Sequence, residues 1–226
     1  MNSEATVTTK ETEKGKKTER KAAGHVNVRY MTMTAMLSAI AFILMFFDFN
    51  VPLMPSFIQM DFSELPALIG AFAMGPASGV LICLIKNLLH LMMSSTGGVG
   101  ELSNFLLGAA FVLPAGLLYR RKRGRKNALA GAVIGSVFMA LFSVISNNFL
   151  VYPIYYNFMP METIIAAYKA AISVLNIDLT WNTMLPYLLI FNMPFTFLKG
   201  MANVLITFLI YKHISPIIKG TNSRRK

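Results

Sequence analysis

The chain has 226 residues, of which 55% are apolar and only 14% are charged, and its mean hydropathy is +0.55. This composition excludes an ordinary soluble domain and indicates an integral membrane protein. The single cysteine, Cys83, excludes an intrachain disulfide and a CxxC metal site.

The net charge of +11 comes from three basic clusters separated by long apolar stretches, at residues 1–29, 120–126 and 212–226. Outside these clusters the only basic side chains are Lys86, Lys169 and Lys199. A nucleic-acid-binding surface also concentrates basic residues, but alternation with apolar runs is typical of the positive-inside rule. We therefore predict that all three clusters and both chain ends are cytoplasmic, and we expect no nucleic-acid partner.

Six apolar runs predict six transmembrane helices, at residues 30–47, 61–75, 77–93, 101–119, 128–152 and 184–211. The second run is short and opens on Asp61-Phe-Ser63-Glu64-Leu-Pro66, which offers an N-cap and a proline in the first turn. The predicted fold is thus an all-α integral membrane protein, a six-helix bundle over residues 30–212. A polar, flexible cytoplasmic tail (1–29) precedes it, and a basic cytoplasmic tail (213–226) follows it.

Two outer segments are long. Residues 48–62 contain two prolines but are unusually apolar for a water-exposed loop, so we expect this loop to pack against the protein. Residues 153–182 include a stretch, 162–175, that fits an amphipathic surface helix.

Polar side chains at membrane depth are costly, so each is a candidate for a functional site. Lys199 lies deep in the sixth run, where it either contacts a ligand or snorkels toward the inner surface; we favour the ligand contact. Lys86, Asn87 and His90, in the outer half of the third run, fit a structural hydrogen bond between helices as well as they fit ligand binding.

More polar and aromatic side chains collect at the outer ends of the helices. Glu101 and Asn104 lie one turn apart, so they share a helix face and either cap the helix or line a pocket. Asn147 and Asn148 end the fifth run, and of these we take Asn148 as the candidate. Tyr155 and Asn157 follow, where the tyrosine fits an aromatic belt at least as well as a stacking wall.

The sequence lacks the motifs of the common catalytic and ATP-binding sites, GxxxxGK[ST], HExxH and GxSxG. We therefore predict no catalytic residues and no metal site, and any ATP energy that the protein uses must come from elsewhere. A membrane enzyme of lipid metabolism would need clustered acidic residues for Mg²⁺. Asp61 and Glu64 form the only close acidic pair in an outer segment, and helix capping accounts for them. Nothing suggests the filter ring of a channel.

Five segments together resemble a known family: AMLSAIAFIL (35–44), DFSELPALIGAFAMGPASG (61–79), KNLLHL (86–91), GELSNFLLGAAFVLPAGLLY (100–119) and MPFTFLKG (193–200). In their order and spacing they resemble the riboflavin-binding S component of an energy-coupling factor (ECF) vitamin transporter, over residues 31–219. The resemblance implies a multi-pass protein of the bacterial cell membrane that binds its vitamin from outside. It also implies partnership with one membrane-embedded coupling subunit and two ATPase subunits.

The resemblance also assigns roles to single residues. Ala35 and Ala39 match the family's small-xxx-small motif, where closely approaching helices would dock the coupling subunit; ordinary packing within the bundle is the alternative. Lys199 matches the lysine of a PFNLLKG-like segment, which implies a flavin contact. The asparagine of that segment is Thr196 here, so one hydroxyl stands in place of an amide, and another flavin-like ligand becomes an alternative to riboflavin.

Riboflavin would be the transported ligand and not a cofactor, and its pocket should be apolar or aromatic with a few converging polar groups. Candidates for those polar groups are Lys199, Thr196, Glu101, Asn104, Asn148 and Asn157, with Phe57 and Tyr155 for stacking. Since the outer loops carry acid and almost no base, we expect FMN to bind less well than riboflavin. The alternatives are an S component for thiamine, biotin, folate or FMN.

Overall fold

The structure, a computed structural model, describes residues 28–94, 96–172, 181 and 183–219. The predictions for most of the terminal tails and for most of residues 173–182 concern residues outside these described ranges. The chain divides into two units, residues 1–32 and 33–226. The described part of the first unit is one helical segment, in which the hydroxyl of Thr32 donates to the carbonyl of Val28 over 2.9 Å.

The described part of the chain contains seven helices. They are α1 (Val28–Met45), α2 (Glu64–Met74), α3 (Pro76–His90), α4 (Val99–Arg121), α5 (Arg125–Tyr155), α6 (Met161–Ile172) and α7. Helix α7 comprises Leu185–Tyr187, a π-helical turn over Leu188–Asn192, and Met193–Lys219. A second π-helical turn, Asn147–Val151, interrupts α5. Two short strands, β1 (Phe49–Asn50) and β2 (Gln59–Met60), pair antiparallel between α1 and α2.

Five helical segments are long and apolar enough to cross a membrane: Val28–Met45, Pro76–Met93, Val99–Arg121, Arg125–Tyr155 and Leu185–Ile210. The apolar helix α2 is shorter, with 11 residues, where a straight crossing needs about 20. Each of these six segments coincides closely with a predicted apolar run, and the all-α membrane fold is confirmed. The sixth crossing by α2 and the cytoplasmic position of the chain ends stay predictions.

A sharp turn joins α2 directly to α3. Gly75 has a φ of 113°, a conformation that side chains disfavour, and Pro76 then opens α3 with its fixed φ. The two helices therefore run back along each other with no loop between them.

Small residues let the helices of the core approach closely. A Cβ on Gly135 of α5 would lie 2.5 Å from the carbonyl oxygen of Phe111 in α4, and one on Gly79 of α3 would lie 2.8 Å from the Cβ of Ala71 in α2. Small residues allow the close van der Waals packing that helps helices associate in lipid, where the hydrophobic driving force between them is absent. Contacts of this kind join α2 to α3 and α4 to α5.

The outer loop, residues 48–62, packs against the protein as predicted. Phe57 lies 6.0 Å from Tyr155 and 6.3 Å from Tyr168 between ring centroids. Tyr168 belongs to α6, an amphipathic helix as predicted, whose residues Ile164, Ile165 and Tyr168 are buried while its other face is exposed. The loop and α6 therefore share one aromatic cluster at the outer end.

Candidate functional site

A cavity of about 200 Å³ lies among the start of α4, the end of α5 and the first half of α7, with the loop 48–62, predicted to be outer and called the outer loop here, along one side. The loop contributes Asp48, Phe57 and Asp61 to its wall, among other residues. Its lining combines apolar, aromatic, amide and ionisable side chains, which is the usual composition of a small-molecule site.

The inner wall of the cavity is closed by a buried charge cluster. The ammonium nitrogen of Lys199 lies 2.7 Å from Oδ2 of Asp61 and 3.6 Å from Oε1 of Glu64, which also lies 3.1 Å from the ammonium nitrogen of Lys86. The other oxygen of Asp61, Oδ1, accepts hydrogen bonds from the amide and the hydroxyl of Ser63. Two positive and two negative groups are thus paired, which is the condition for burying charge at tolerable cost.

Both oxygens of Asp61 are held by donors. The Lys199 ammonium group pairs with Oδ2, and the amide and hydroxyl of Ser63 donate to Oδ1, so the surroundings favour the carboxylate form. The cluster therefore keeps a fixed negative charge beside Lys199.

This cluster corrects the interpretation of Asp61 and Glu64 as capping residues. Ser63 occupies the N-cap of α2 without a capping bond from its own side chain, and Glu64 opens the helix. Asp61 does accept the Ser63 amide, but both carboxylates also face buried lysines. Capping thus explains only part of their role. Lys86 and Lys199 likewise point to carboxylates, and not to the membrane surface.

Two amides join α5 and α7 at the cavity. Nδ2 of Asn147 donates to Oδ1 of Asn192 over 3.1 Å, and that oxygen also accepts from the hydroxyl of Thr196 over 3.3 Å. Oδ1 of Asn147 in turn accepts from Ser103 of α4 over 3.3 Å. Asn147 begins one π-helical turn and Asn192 ends the other. π turns shift the side chains that follow them and are frequent at functional sites.

Glu101 holds the mouth of the cavity together. Its Oε1 lies 2.8 Å from Nδ1 of His90, and its Oε2 accepts from Ser94 over 2.7 Å and from Thr96 over 3.4 Å. These bonds tie the end of α3 and the following turn to the start of α4. One turn along α4, Oδ1 of Asn104 is buried in the cavity lining without a hydrogen-bond partner among the described residues. An orphaned acceptor of this kind is costly unless a ligand or water satisfies it.

Six of the eight predicted ligand contacts line this cavity: Phe57, Glu101, Asn104, Tyr155, Thr196 and Lys199. The other two do not. Asn148 is half-buried next to Asn147, and Asn157 is exposed, with its Nδ2 donating to the carbonyl of Ile154 over 3.1 Å. Ala35 and Ala39 are exposed together on α1, whose opposite face buries Thr34, Ser38 and Ala41.

Several polar residues of the lining were not among the predicted ligand contacts, including Asp61, Asn147 and Asn192. Asn147 is the neighbour of the predicted contact Asn148. Which of the two faces the cavity depends only on the rotation of the helix about its axis. Asn192 gave a usable signal, a polar residue inside an apolar run. In the described part of the chain, no three His, Cys, Asp or Glu side chains are grouped so as to hold a metal ion.

Comparison with known proteins now identifies the family. The family model for the substrate-specific component of ECF transporters matches residues 29–211. The chain belongs to this family. It is therefore a transport protein and not an enzyme, and the resemblance drawn from the sequence motifs is confirmed.

Individual members of the ECF family are similar over most of the chain. The riboflavin transporter RibU of Staphylococcus aureus (strain TCH60) is 32% identical over 88% of this chain and 97% of its own length. The riboflavin transporter FmnP of Bacillus subtilis (strain 168) is 29% identical over 88% of this chain and 98% of its own. A solved structure of the S component of a bacterial ECF transporter shares 30% identity and superposes with a TM-score of 0.66, covering 84% of this chain and 98% of that one.

Proposed function

We propose that this protein is a riboflavin-specific S component, which captures the vitamin from outside the cell and delivers it inward with an ATP-driven module. The observation that carries the proposal is the cavity itself, in which aromatic rings, amides and one paired lysine converge at the outer end of the helices. The riboflavin transporters to which the chain is similar along nearly its whole length support the same ligand.

The lining suits a flat, uncharged and amphipathic molecule. Phe57 and Tyr155 offer aromatic faces for a fused ring system, because offset stacking of rings is favourable. Asn104 offers a buried acceptor, Lys199 offers N–H donors, and the Thr196 hydroxyl, which donates to Asn192, still offers an acceptor. Riboflavin needs this combination, since its ring edge and ribityl chain carry hydrogen-bonding groups while its ring faces are apolar.

The capture step uses the outer loop as a cover. The loop lies along the cavity through Asp48, Phe57 and Asp61, so its displacement would open the site to the outside. With both chain ends and the basic clusters in the cytoplasm, the outer ends of α4, α5 and α7 face the medium. An even number of crossings returns the chain to the side on which it began. Six crossings of the bacterial cell membrane, of which α2 is the short one, therefore leave both chain ends in the cytoplasm.

Delivery depends on the ECF module, composed of one membrane-embedded coupling subunit and two ATPases. Ala35 and Ala39 form a small, exposed surface on α1 on which a helix of the coupling subunit can approach closely. Residues 30–212 form the binding domain, and the tails 1–29 and 213–226 stay in the cytoplasm.

Titration of the purified protein in detergent with riboflavin tests the proposal. Flavin fluorescence is expected to be quenched at about micromolar ligand or below, because the ring enters an aromatic cavity. Thiamine, biotin and folate are the matched competitors and should leave the quenching unchanged. Absence of quenching with riboflavin, or displacement by one of the other vitamins, would contradict the assignment.

A further inference from the structure

Four ionisable side chains form the buried cluster beneath the cavity, but only two of them, Asp61 and Lys199, belong to its lining. Lys86 is fully buried and pairs with Glu64. The charge that a ligand meets at the inner wall is therefore set by Asp61 and Lys199.

Asp61 uses both carboxylate oxygens. Oδ1 accepts from Ser63, and Oδ2 accepts from Lys199 over 2.7 Å, so the carboxylate is fixed in position and its charge is directed at the ammonium group. Lys199 has three N–H donors, one of which is used in this bond. The lysine can therefore still donate to a ligand while its charge is balanced.

The rest of the lining adds no unpaired cation among the described residues. His90 is bound to Glu101, and Asp48 is an exposed acid at the edge of the cavity. A dianionic phosphate group entering this cavity would meet carboxylates and a lysine that is already neutralised. An uncharged hydroxyl or carbonyl would meet the same donors without repulsion.

We propose that Asp61 is a specificity-determining residue, which neutralises Lys199 so that the cavity binds uncharged riboflavin more tightly than phosphorylated flavins. The proposal rests on the proposed function. Beyond that function, the preference for riboflavin over FMN is assigned to one ion pair and not to the overall acidity of the outer loops.

The test compares Kd values for riboflavin and FMN, both measured by fluorescence quenching. Wild-type protein is expected to bind riboflavin more tightly. In Asp61→Asn the single Glu64 carboxylate remains for two ammonium groups, so Lys199 carries excess positive charge and the ratio of the FMN Kd to the riboflavin Kd should fall about tenfold or more. A purely structural role would weaken both ligands in parallel and leave the ratio unchanged, which would overturn the proposal.

Two further variants sharpen the result. Adding Lys199→Met to Asp61→Asn removes the unbalanced cation and should raise the ratio again. Asp48→Asn removes an equal charge from the same lining but touches no lysine among the described residues, so it should shift the ratio much less. An equal shift in Asp48→Asn would mean that overall charge decides, against the proposal.

The wild-type protein gives an answer even if the variants fail to fold. FMN binding as tightly as riboflavin would overturn this inference while leaving the proposed function intact. Failure to bind any flavin would overturn both.

Discussion

Asn147 donates a hydrogen bond to Asn192 over 3.1 Å, and this bond connects two π-helical turns that face the same cavity. Both amides are nearly buried, with 4% and 6% of their surfaces exposed, so neither can exchange its partner for bulk water. The pair fixes the outer halves of α5 and α7 relative to each other. It also places Thr196 through the second bond to Asn192.

Replacing Asn147 by alanine should therefore weaken riboflavin binding. The change removes the acceptor of Ser103 and one of the two donors to Oδ1 of Asn192. An unmade buried hydrogen bond costs about 1–3 kcal/mol, or about 5- to 150-fold in Kd if the whole cost falls on the bound state. Titration of riboflavin fluorescence measures the effect. Asn148→Ala is the matched control, because this neighbour lies outside the cavity lining. Equal losses in the two variants would contradict the position of the site.

Lys199 and Lys86 belong to the same buried charge cluster, so the effects of replacing each of them can be compared. Each faces a buried carboxylate, but only Lys199 lines the cavity. Removing either ammonium group takes the nearest cation away from a buried carboxylate and leaves two acids for one lysine, which costs about 3–5 kcal/mol of stability. Lys199→Ala should also reduce riboflavin affinity per folded molecule while membrane insertion is retained, and Lys86→Ala should reduce thermal stability alone. Binding lost equally in both would argue that the cluster is only structural.

The surface formed by Ala35 and Ala39 should be needed for transport but not for binding. Tryptophan at both positions fills the space that a partner helix would occupy, so riboflavin uptake by cells is expected to fall at least about tenfold. The Kd of the isolated protein should not change, because neither residue lines the cavity. Ala130→Trp, at an exposed alanine of α5, controls for the bulk of the side chain. Normal uptake in the double variant would exclude this surface as the docking site.

The sequence predicts the helices well because the length of an apolar run directly reflects the thickness of the membrane. Gly75-Pro76 likewise marks the turn between α2 and α3, since one residue tolerates a positive φ and the other opens a helix. These features depend on local sequence alone.

The site could be predicted only in part because its decisive contacts are not local. Asp61 and Lys199 are 138 positions apart, so no spacing in the sequence connects them, and capping offered a sufficient local reason for Asp61. Asn148 was predicted as a contact, but its neighbour Asn147 lines the cavity, and the reason for this difference is another one. Adjacent helix residues point about 100° apart, and a π turn that no motif announces changes the register.

Gly135 should be essential to the packing of α5 against α4. A Cβ there would lie 2.5 Å from the carbonyl oxygen of Phe111, a backbone atom that cannot move aside without shifting the helix. Gly135→Ala is expected to cost about 1–3 kcal/mol of stability, seen as a lower Tm in detergent. Gly124→Ala adds the same methyl group before α5, where the nearest side-chain atom is 3.6 Å away, and its Tm should stay close to that of the wild type. Indistinguishable Tm values would mean that the two helices separate easily at this contact.

Phe57 should control how long riboflavin stays in the cavity. It is the aromatic residue through which the outer loop contacts Tyr155 and Tyr168, with centroid distances of 6.0 and 6.3 Å. An aromatic pair contributes about 0.5–1.5 kcal/mol, so Phe57→Ala should loosen the loop and speed riboflavin dissociation up to about tenfold. Stopped-flow displacement of the bound flavin measures the rate. Phe49→Ala is the control on the same loop, because Phe49 packs on Phe62 and does not line the cavity. If the loop is the cover, the Phe57 variant releases flavin faster than the Phe49 variant; equal rates would assign the cover to another part of the protein.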